Sequence, residues 1–205
     1  MMGTESSVQS LLDKIKKEGI EEANKSAEEI LERLYQSVWN YMESSDPQDA
    51  QQDDITLVAV TKTHPVETAA AAYRAGLRHF GENRVTEGRA KVAAMADWLA
   101  QAGAEEPLEP PIWHMIGHLQ RNKAKRAVQY FDWIETIDSW RLAQTLERHC
   151  AKLEKTLPVL IEINSGREAN KTGVMPEAVD QLVARMSTLE HLHVEGLMTM
   201  GPRFG

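Results

Sequence analysis

The sequence predicts an α/β domain of the TIM-like (β/α)-barrel type, and two observations lead to this prediction. Six short apolar runs alternate with amphipathic helical stretches from Ile55 onward. Strands separated by helices are typical of βαβ units that build a parallel sheet. None of the six runs is followed by the glycine fingerprint of a dinucleotide-binding fold. The alternation without that fingerprint favours a barrel over an open nucleotide-binding sheet.

The apolar runs and the periodic stretches between them define the predicted elements. Strands are predicted at 55–60, 77–80, 112–116, 133–137, 159–163 and 194–198. Helices are predicted where apolar residues recur at helical spacing, at 65–75, 84–100, 121–130, 140–154 and 176–189. The stretch 103–111, rich in glycine, glutamate and proline, is expected to be a loop.

The chain is predicted to divide after residue 54. Residues 1–54 are assigned to an N-terminal helical segment that ends in the acidic, polar loop 46–54, and residues 55–205 to the barrel domain. A complete β/α barrel has eight strands in about 250 residues. With six predicted strands, the barrel is expected to lack its last strands and to be incomplete at the C-terminus.

Composition excludes several classes of function. The 205 residues carry a net charge of −8, which gives no electrostatic footprint for nucleic acid. Cys150 is the only cysteine, so an internal disulfide and a cysteine-based metal site are both excluded. No apolar run reaches the ~20 residues that a membrane helix needs. These features predict a protein without nucleic-acid or membrane partners, located in the cytoplasm.

Lys62 is the strongest candidate for chemistry. It lies in L-V-A-V-T-K-T-H-P, just past the end of the first predicted strand, and Pro65 opens the next helix. In β/α barrels this end of the strands faces the active site. A lysine there can reach inward, where partial burial favours a nucleophilic amine. A surface lysine in a βα loop would occupy the same position, and position alone leaves both interpretations open.

Polar or glycine-rich clusters recur at the same end of nearly every other predicted strand, namely the second, third, fifth and sixth. They are F-G-E-N-R at 80–84, W-H-M-I-G-H-L-Q at 113–120, the segment 164–173, and G-L-M-T-M at 196–200. In the first of these, Gly81 permits close backbone approach and Asn83 offers both a donor and an acceptor. This distribution favours a site built from several strand ends.

Other candidates are weaker. His114 and His118 have the spacing of a metal pair only on a helix, and on a strand end they diverge, so no metal site is predicted. Lys171 is either a second anion contact or a solvated loop lysine. Arg121 and Lys123 lie at a predicted helix start, where anions bind well.

Five motifs in this order closely resemble the YggS/PROSC family of proteins that bind pyridoxal 5′-phosphate (PLP) and maintain its homeostasis. They are A-V-T-K-T-H-P, H-F-G-E-N-R-V-T-E, W-H-M-I-G-H-L-Q-R-N-K, I-E-I-N-S-G-R-E-A-N-K-T-G and E-G-L-M-T-M. The resemblance covers about residues 55 to 200. It implies a barrel like the N-terminal domain of alanine racemase, without the second domain that completes the racemase site.

The resemblance also implies roles for three residues. Lys62 would carry PLP as a Schiff base, and Asn83 would lie against the cofactor. Met200 falls where racemases place a histidine that stacks on the ring; a thioether can pack there but cannot relay a proton. The family's phosphate-gripping segment, rich in serine and glycine, follows the sixth strand, and the sequence ends at Gly205, before it.

Three functions remain open at this stage. The leading expectation is a monomeric PLP carrier or regulator without substantial turnover, whose partners are PLP and PLP-dependent apo-enzymes. The alternative is a fold-type III PLP enzyme, an amino-acid racemase or decarboxylase, which needs a proton donor or acceptor on each face of the cofactor. A Schiff-base aldolase that uses Lys62 without PLP is the third, and it leaves the other motifs unexplained.

Overall fold

The computed structural model describes residues 56–103 and 108–200. Six strands in this part of the chain form one sheet. They are β1 (Val58–Val60), β2 (His79–Glu82), β3 (Ile112–Met115), β4 (Trp133–Ile137), β5 (Leu157–Ile163) and β6 (Leu192–Thr199). Each strand pairs in parallel with the next one along the chain. This sequential order is that of a β/α barrel and not of a doubly wound sheet.

Five α-helices connect the strands. They are α1 (Val66–Arg74), α2 (Val85–Ala102), α3 (Ala124–Tyr130), α4 (Trp140–Leu153) and α5 (Val179–Met186). All five predicted helices are found, but the third and fifth begin with a short 3-10 turn, at Arg121–Lys123 and Pro176–Ala178. Ser139 caps α4, since its hydroxyl accepts the amide of Leu142 at 3.4 Å.

The strand predictions are correct in number and order and differ at their ends. The second strand begins and ends two residues later than predicted, so Glu82 lies inside it. The sixth is longer than predicted at both ends, and the first begins only at Val58, since Thr56 and Leu57 are described and lie outside it. Ile55, the predicted start of the first strand, lies outside the described residues.

The chain divides into two compact units. One comprises Met1–Leu57 and Glu67–Leu77, and its described part is mainly the helix α1. The other comprises Val58–Val66 and Arg78–Gly205 and contains all six strands. The predicted N-terminal helical segment, residues 1–54, lies outside the described residues. Within the described chain, no helix is both long enough and apolar enough to cross a membrane.

One face of the sheet packs against the helices α2 to α5. Alternate strand residues point to this face, as the two-residue period of a strand requires. Phe80 and Trp113 stack with their ring centroids 5.5 Å apart, and both are buried. Farther along the sheet, Ile134 and Val159 are paired neighbours and are fully buried. The core of this unit therefore lies between the sheet and its helices.

The opposite face of the sheet carries a polar cluster of two histidines and a glutamate. His79 Nδ1 lies 2.9 Å from His114 Nε2, and His114 Nδ1 lies 2.6 Å from Glu135 Oε1. The His114 ring also stacks on Trp133 at 5.6 Å. Burial, and then the neighbouring His114, lower the pKa of His79 below its ordinary value, whereas Glu135 opposes this shift. His79 is therefore neutral in the folded protein near neutral pH.

This cluster predicts a loss of stability in mild acid. Because the pKa of His79 is lower in the folded than in the unfolded chain, the unfolded chain binds its proton first. The contribution of His79 is complete above about pH 6.5, the ordinary value, and is lost as the pH falls toward the lowered pKa. We expect His79→Gln to reduce the drop in unfolding free energy between about pH 7.5 and 5.5 in urea titrations.

The matched control for this prediction is His193→Gln, which replaces an exposed histidine of β6. It should leave the pH dependence as in the wild type. An equally steep loss of stability in His79→Gln and the wild type would show that His79 does not carry the effect.

Candidate functional site

Lys62 lies two residues beyond β1, at the carboxyl end of the sheet. Its side chain is exposed. The partial burial expected from the sequence is not found: Lys62 is exposed, whereas Thr61 before it is buried. Within the described residues, no hydrogen bond or ion pair occupies its amine. The structure thus presents an accessible primary amine at the end of the first strand.

The backbone around Lys62 is held in a defined turn. The amide of Thr61 donates to the carbonyl of Gly81 at 3.1 Å, which continues the β1–β2 ladder beyond the last residue of β1. The amide of His64 donates to the carbonyl of Thr61 at 3.0 Å and closes the turn. Thr63 has a φ of 64°, a left-handed conformation that is strained for a β-branched residue. Such strain persists only where the surrounding contacts impose it.

A buried polar cluster of Thr61, Glu82 and Lys91 lies directly behind this turn. The Thr61 hydroxyl donates to Glu82 Oε1 at 2.7 Å, and Lys91 Nζ donates to the same oxygen at 2.5 Å. Lys91 Nζ also donates to the carbonyl of Thr61 at 2.6 Å. Thr61, Glu82 and Lys91 are 4%, 0% and 6% exposed, so their charges and hydrogen bonds are shielded from water.

Asn83 follows β2 and is half-buried. The β1–β2 pairing ends at Val60 and Gly81, so Lys62 and Asn83 both follow the carboxyl ends of neighbouring strands. The backbone of Asn83 is in close contact with Gly117: a Cβ at Gly117 would lie 2.4 Å from the Asn83 carbonyl oxygen. The Thr136 hydroxyl donates to the carbonyl of Gly117 at 2.8 Å. The ends of β2, β3 and β4 are thus locked together around Asn83.

Met200 directly follows β6 and is 65% exposed. It borders a cavity of about 460 Å³ that is otherwise lined by the β5 end and the loop after it, including Asn164 and Lys171. In the sheet order, β1 and β6 are the first and last described strands. The structure therefore places Lys62 and Asn83 beyond the ends of neighbouring strands, whereas Met200 belongs to the opposite edge of the sheet.

The weaker sequence candidates have local partners. His114 contacts Glu135, whereas His118 Nδ1 lies 3.1 Å from Asp138 Oδ2, so the two histidines diverge as predicted. In the described part of the chain, no group of three or more metal-ligating side chains is found. Lys171 Nζ lies 2.6 Å from Glu168 Oε1, an ion pair in the loop after β5.

Sequence reasoning missed Glu82, Lys91 and Gly117. A glutamate that ends the otherwise apolar strand at 79–82 is an available signal, because a buried carboxylate needs a partner. Lys91 lies four residues after Glu87 on α2, which suggests only a surface pair. Its reach to Thr61 spans 30 positions and is visible only in the folded chain.

Comparison with known proteins shows where the fold belongs. The family described as "Alanine racemase, N-terminal domain" matches residues 48–204. The chain belongs to this family. The alanine racemase of Clostridium difficile 630 has a TM-score of 0.54 at 21% identity, covering 72% of this chain and 36% of the racemase, so it shares the fold. The predicted α/β fold of the alanine racemase barrel type is confirmed.

Relatives of higher identity confirm the resemblance to the YggS/PROSC group. The pyridoxal phosphate homeostasis protein of Vibrio alginolyticus is 39% identical over 148 residues, which are 72% of this chain and 60% of that protein. PipY of Synechococcus elongatus PCC7942, solved without PLP, has a TM-score of 0.66 and 36% identity, covering 80% of this chain and 70% of PipY. A second structure of PipY has PLP bound. The chain spans about three fifths of the length of the curated relatives it matches.

The contact between Gly117 and Asn83 predicts a measurable cost for a single methyl group. Gly117→Ala should lower the free energy of unfolding by ~1–3 kcal/mol, because the new Cβ would overlap the Asn83 backbone and force the β2 and β3 ends apart. Urea unfolding measures the change. Gly196→Ala is the matched control, since a Cβ at Gly196 in β6 meets only Leu160 Cδ2, at 3.6 Å. Equal stability of the two variants would contradict the close approach.

Proposed function

We propose that this chain binds PLP as a Schiff base on Lys62 and takes part in intracellular PLP homeostasis. The observation that carries the proposal is the accessible amine of Lys62, which has no partner among residues 56–103 and 108–200, on a turn whose backbone is held by buried contacts. Family membership and the PLP-bound structure of PipY support PLP as the ligand.

The described residues are chemically suited to such a ligand. A primary amine condenses with an aldehyde to form a C=N bond and release water, so the amine must be reachable and unpaired. Lys62 meets both conditions among the described residues. Asn83, beyond the end of the neighbouring strand, offers an amide that can donate or accept a hydrogen bond at a polar edge of the ring. Val60, 49% exposed at the end of β1, provides apolar surface near the same turn.

Each residue has a distinct part in the proposal. Lys62 holds the aldehyde carbon, Asn83 orients the ring, and Met200 packs against it from β6 if the sheet curves as in the racemase barrel. When bound, PLP supplies an electron-accepting ring and a reactive aldehyde. Free PLP condenses with any amine, so a protein lysine that holds it reversibly limits damage and keeps a reserve.

We further propose that the protein acts in the cytoplasm as a monomer and that it passes PLP to apo-enzymes that depend on this cofactor. An exposed lysine suits transfer, because an acceptor lysine can approach the same carbon without the site having to open.

The site assignment predicts where PLP becomes attached. The purified protein with PLP should absorb in the visible region, and borohydride reduction followed by peptide mapping should place the pyridoxyl mass on Lys62. Lys62→Ala should abolish both signals and change the unfolding free energy by no more than ~0.5 kcal/mol, because the side chain is exposed.

Lys123→Ala is the matched control for this experiment. It removes another exposed lysine beyond a strand end and should leave the spectrum and the labelled peptide unchanged. Label found mainly on Lys123 or Lys171 would place the site elsewhere and overturn the assignment.

A second prediction separates a carrier from a racemase or decarboxylase. Racemisation requires one base that removes the Cα proton and a second that returns a proton from the opposite face. Lys62 can serve one face, but the two described tyrosines, Tyr73 and Tyr130, lie in helices and not at strand ends. We therefore expect exchange of the Cα proton of alanine or serine with deuterated water to stay near the rate given by free PLP.

This exchange is followed by NMR at substrate excess, with free PLP and Lys62→Ala as controls. Exchange at ~1 s⁻¹ or faster, as ordinary enzymes show, would indicate that the protein is an enzyme and not a carrier. Loss of that fast exchange in Lys62→Ala would then identify Lys62 as the base.

A further inference from the structure

We propose that Lys91 and Glu82 are positioning residues for Lys62: their buried ion pair fixes the backbone that carries its amine. The inference rests on the proposed function, because it assigns to these residues a role in holding PLP on Lys62. Lys91 and Glu82 are both buried, on the helix side of the sheet, so neither is assigned a catalytic part.

Both peptide groups that flank Lys62 are held from behind. The carbonyl of Thr61, in the peptide group before Lys62, accepts a hydrogen bond from Lys91 Nζ at 2.6 Å. The amide of Thr63, in the peptide group after Lys62, donates to Glu87 Oε1 at 2.5 Å. Because a peptide group is planar, fixing one atom in each plane constrains the Cα of Lys62 and the direction of its side chain.

Lys91 connects Glu82 with Glu87, the carboxylate that accepts the Thr63 amide. Its amine lies 2.5 Å from Glu82 Oε1 and 3.8 Å from Glu87 Oε1, so one cation orients both carboxylates. Glu82 in turn accepts the Thr61 hydroxyl at 2.7 Å. An ammonium group has three donors, which allows Lys91 to face the Thr61 carbonyl and both carboxylates at once.

Stability alone is a poor explanation for this pair. Burying two charges is expensive, and a well-packed apolar pair of similar volume is often as stable or more so. Glu82 and Lys91 are 0% and 6% exposed, so they bear most of that desolvation. What an apolar pair cannot provide is the directed hydrogen bond from Lys91 Nζ to the Thr61 carbonyl, or the cation near Glu87, whose carboxylate accepts the amide of the strained Thr63.

A held backbone matters because the Lys62 side chain is exposed and has no partner of its own among the described residues. Its amine samples the volume that four flexible side-chain bonds allow around the Cα. If the Cα is fixed, this volume stays at the carboxyl ends of β1 and β2; if the turn loosens, the amine spends less time there. Loosening should therefore weaken retention of PLP and spread attachment to other lysines.

The experiment compares the wild type with two variants that loosen the turn. Lys91→Met with Glu82→Gln removes both buried charges together, so neither is left unpaired, and the new amide still accepts the Thr61 hydroxyl. Thr61→Val is nearly isosteric and removes only that hydroxyl. The matched control is Lys155→Met: Lys155 Nζ donates to the carbonyls of Val128 and Phe131 at 3.1 and 2.7 Å, before β5 at the opposite end of the sheet.

Two readouts are taken on the full chain. In the PLP-free protein, hydrogen exchange by mass spectrometry should show faster exchange over residues 61–64 in both variants than in the wild type. With PLP, dialysis should remove the visible absorbance about tenfold faster from the double variant, and by a smaller factor from Thr61→Val. A tenfold change corresponds to the loss of one or two oriented hydrogen bonds. The fraction of borohydride-fixed label on Lys62 should fall in parallel.

The outcomes separate this inference from the proposed function. Wild-type protein without label on Lys62 overturns the proposed function, and the positioning role with it. Label on Lys62 in the wild type, with unchanged exchange and unchanged PLP retention in Thr61→Val and the double variant, overturns the positioning role alone. Equal loss of PLP from Lys155→Met would also overturn it, because general destabilisation would then explain the result.

Discussion

The pairing register between β1 and β2 is the constraint on which the site depends. Val60 pairs with Gly81, and the Thr61 amide bonds the Gly81 carbonyl at 3.1 Å, so the two strands remain aligned beyond the end of β1. This alignment places the Thr61 hydroxyl 2.7 Å from Glu82 Oε1, on the helix side of the sheet. Lys62 then follows in the turn after β1. A shift of one residue that brought Lys62 beside Glu82 would turn the lysine toward the helices and bury it.

The buried charge of Glu82 is explained by its neighbours on the helix side of the sheet. Glu82 ends a strand whose side chains face an apolar layer, where an unpaired carboxylate would be strongly disfavoured. Lys91 on α2 compensates it, and Gly88, one turn earlier, leaves room for Phe131 and the Glu82 side chain to pack against the helix. The second carboxylate oxygen of Glu82 has no hydrogen-bond partner among the described residues. A pair retained under these conditions is better explained by the turn it holds than by the stability it adds.

Sequence patterns predict those features of this molecule that depend on residues close together in the chain. The apolar runs locate six parallel strands, and Lys62 and Asn83 fall at strand ends because each directly follows such a run. Contacts between distant positions are not encoded in this way: the bond from Lys91 to Thr61 and the approach of Gly117 to Asn83 arise only from packing. The exposure of Lys62 also differs from the sequence expectation, because burial depends on which residues pack around the turn and not on local order. The identity of the ligand came from resemblance, since a strand-end lysine alone is equally suited to other carbonyl compounds.

A scaffold shared with racemases does not determine what its site does, since function depends on the residues grafted onto the fold. A racemase needs its lysine enclosed with a second base, so that water is excluded and both faces of the substrate are served. In the described residues, the contacts that order the lysine come through its backbone, from Lys91 and Glu87. The two described tyrosines lie in helices, so they do not serve as a second base at the strand ends. The proposed carrier therefore differs from a racemase in the groups that would surround the lysine and not in the sheet that carries it.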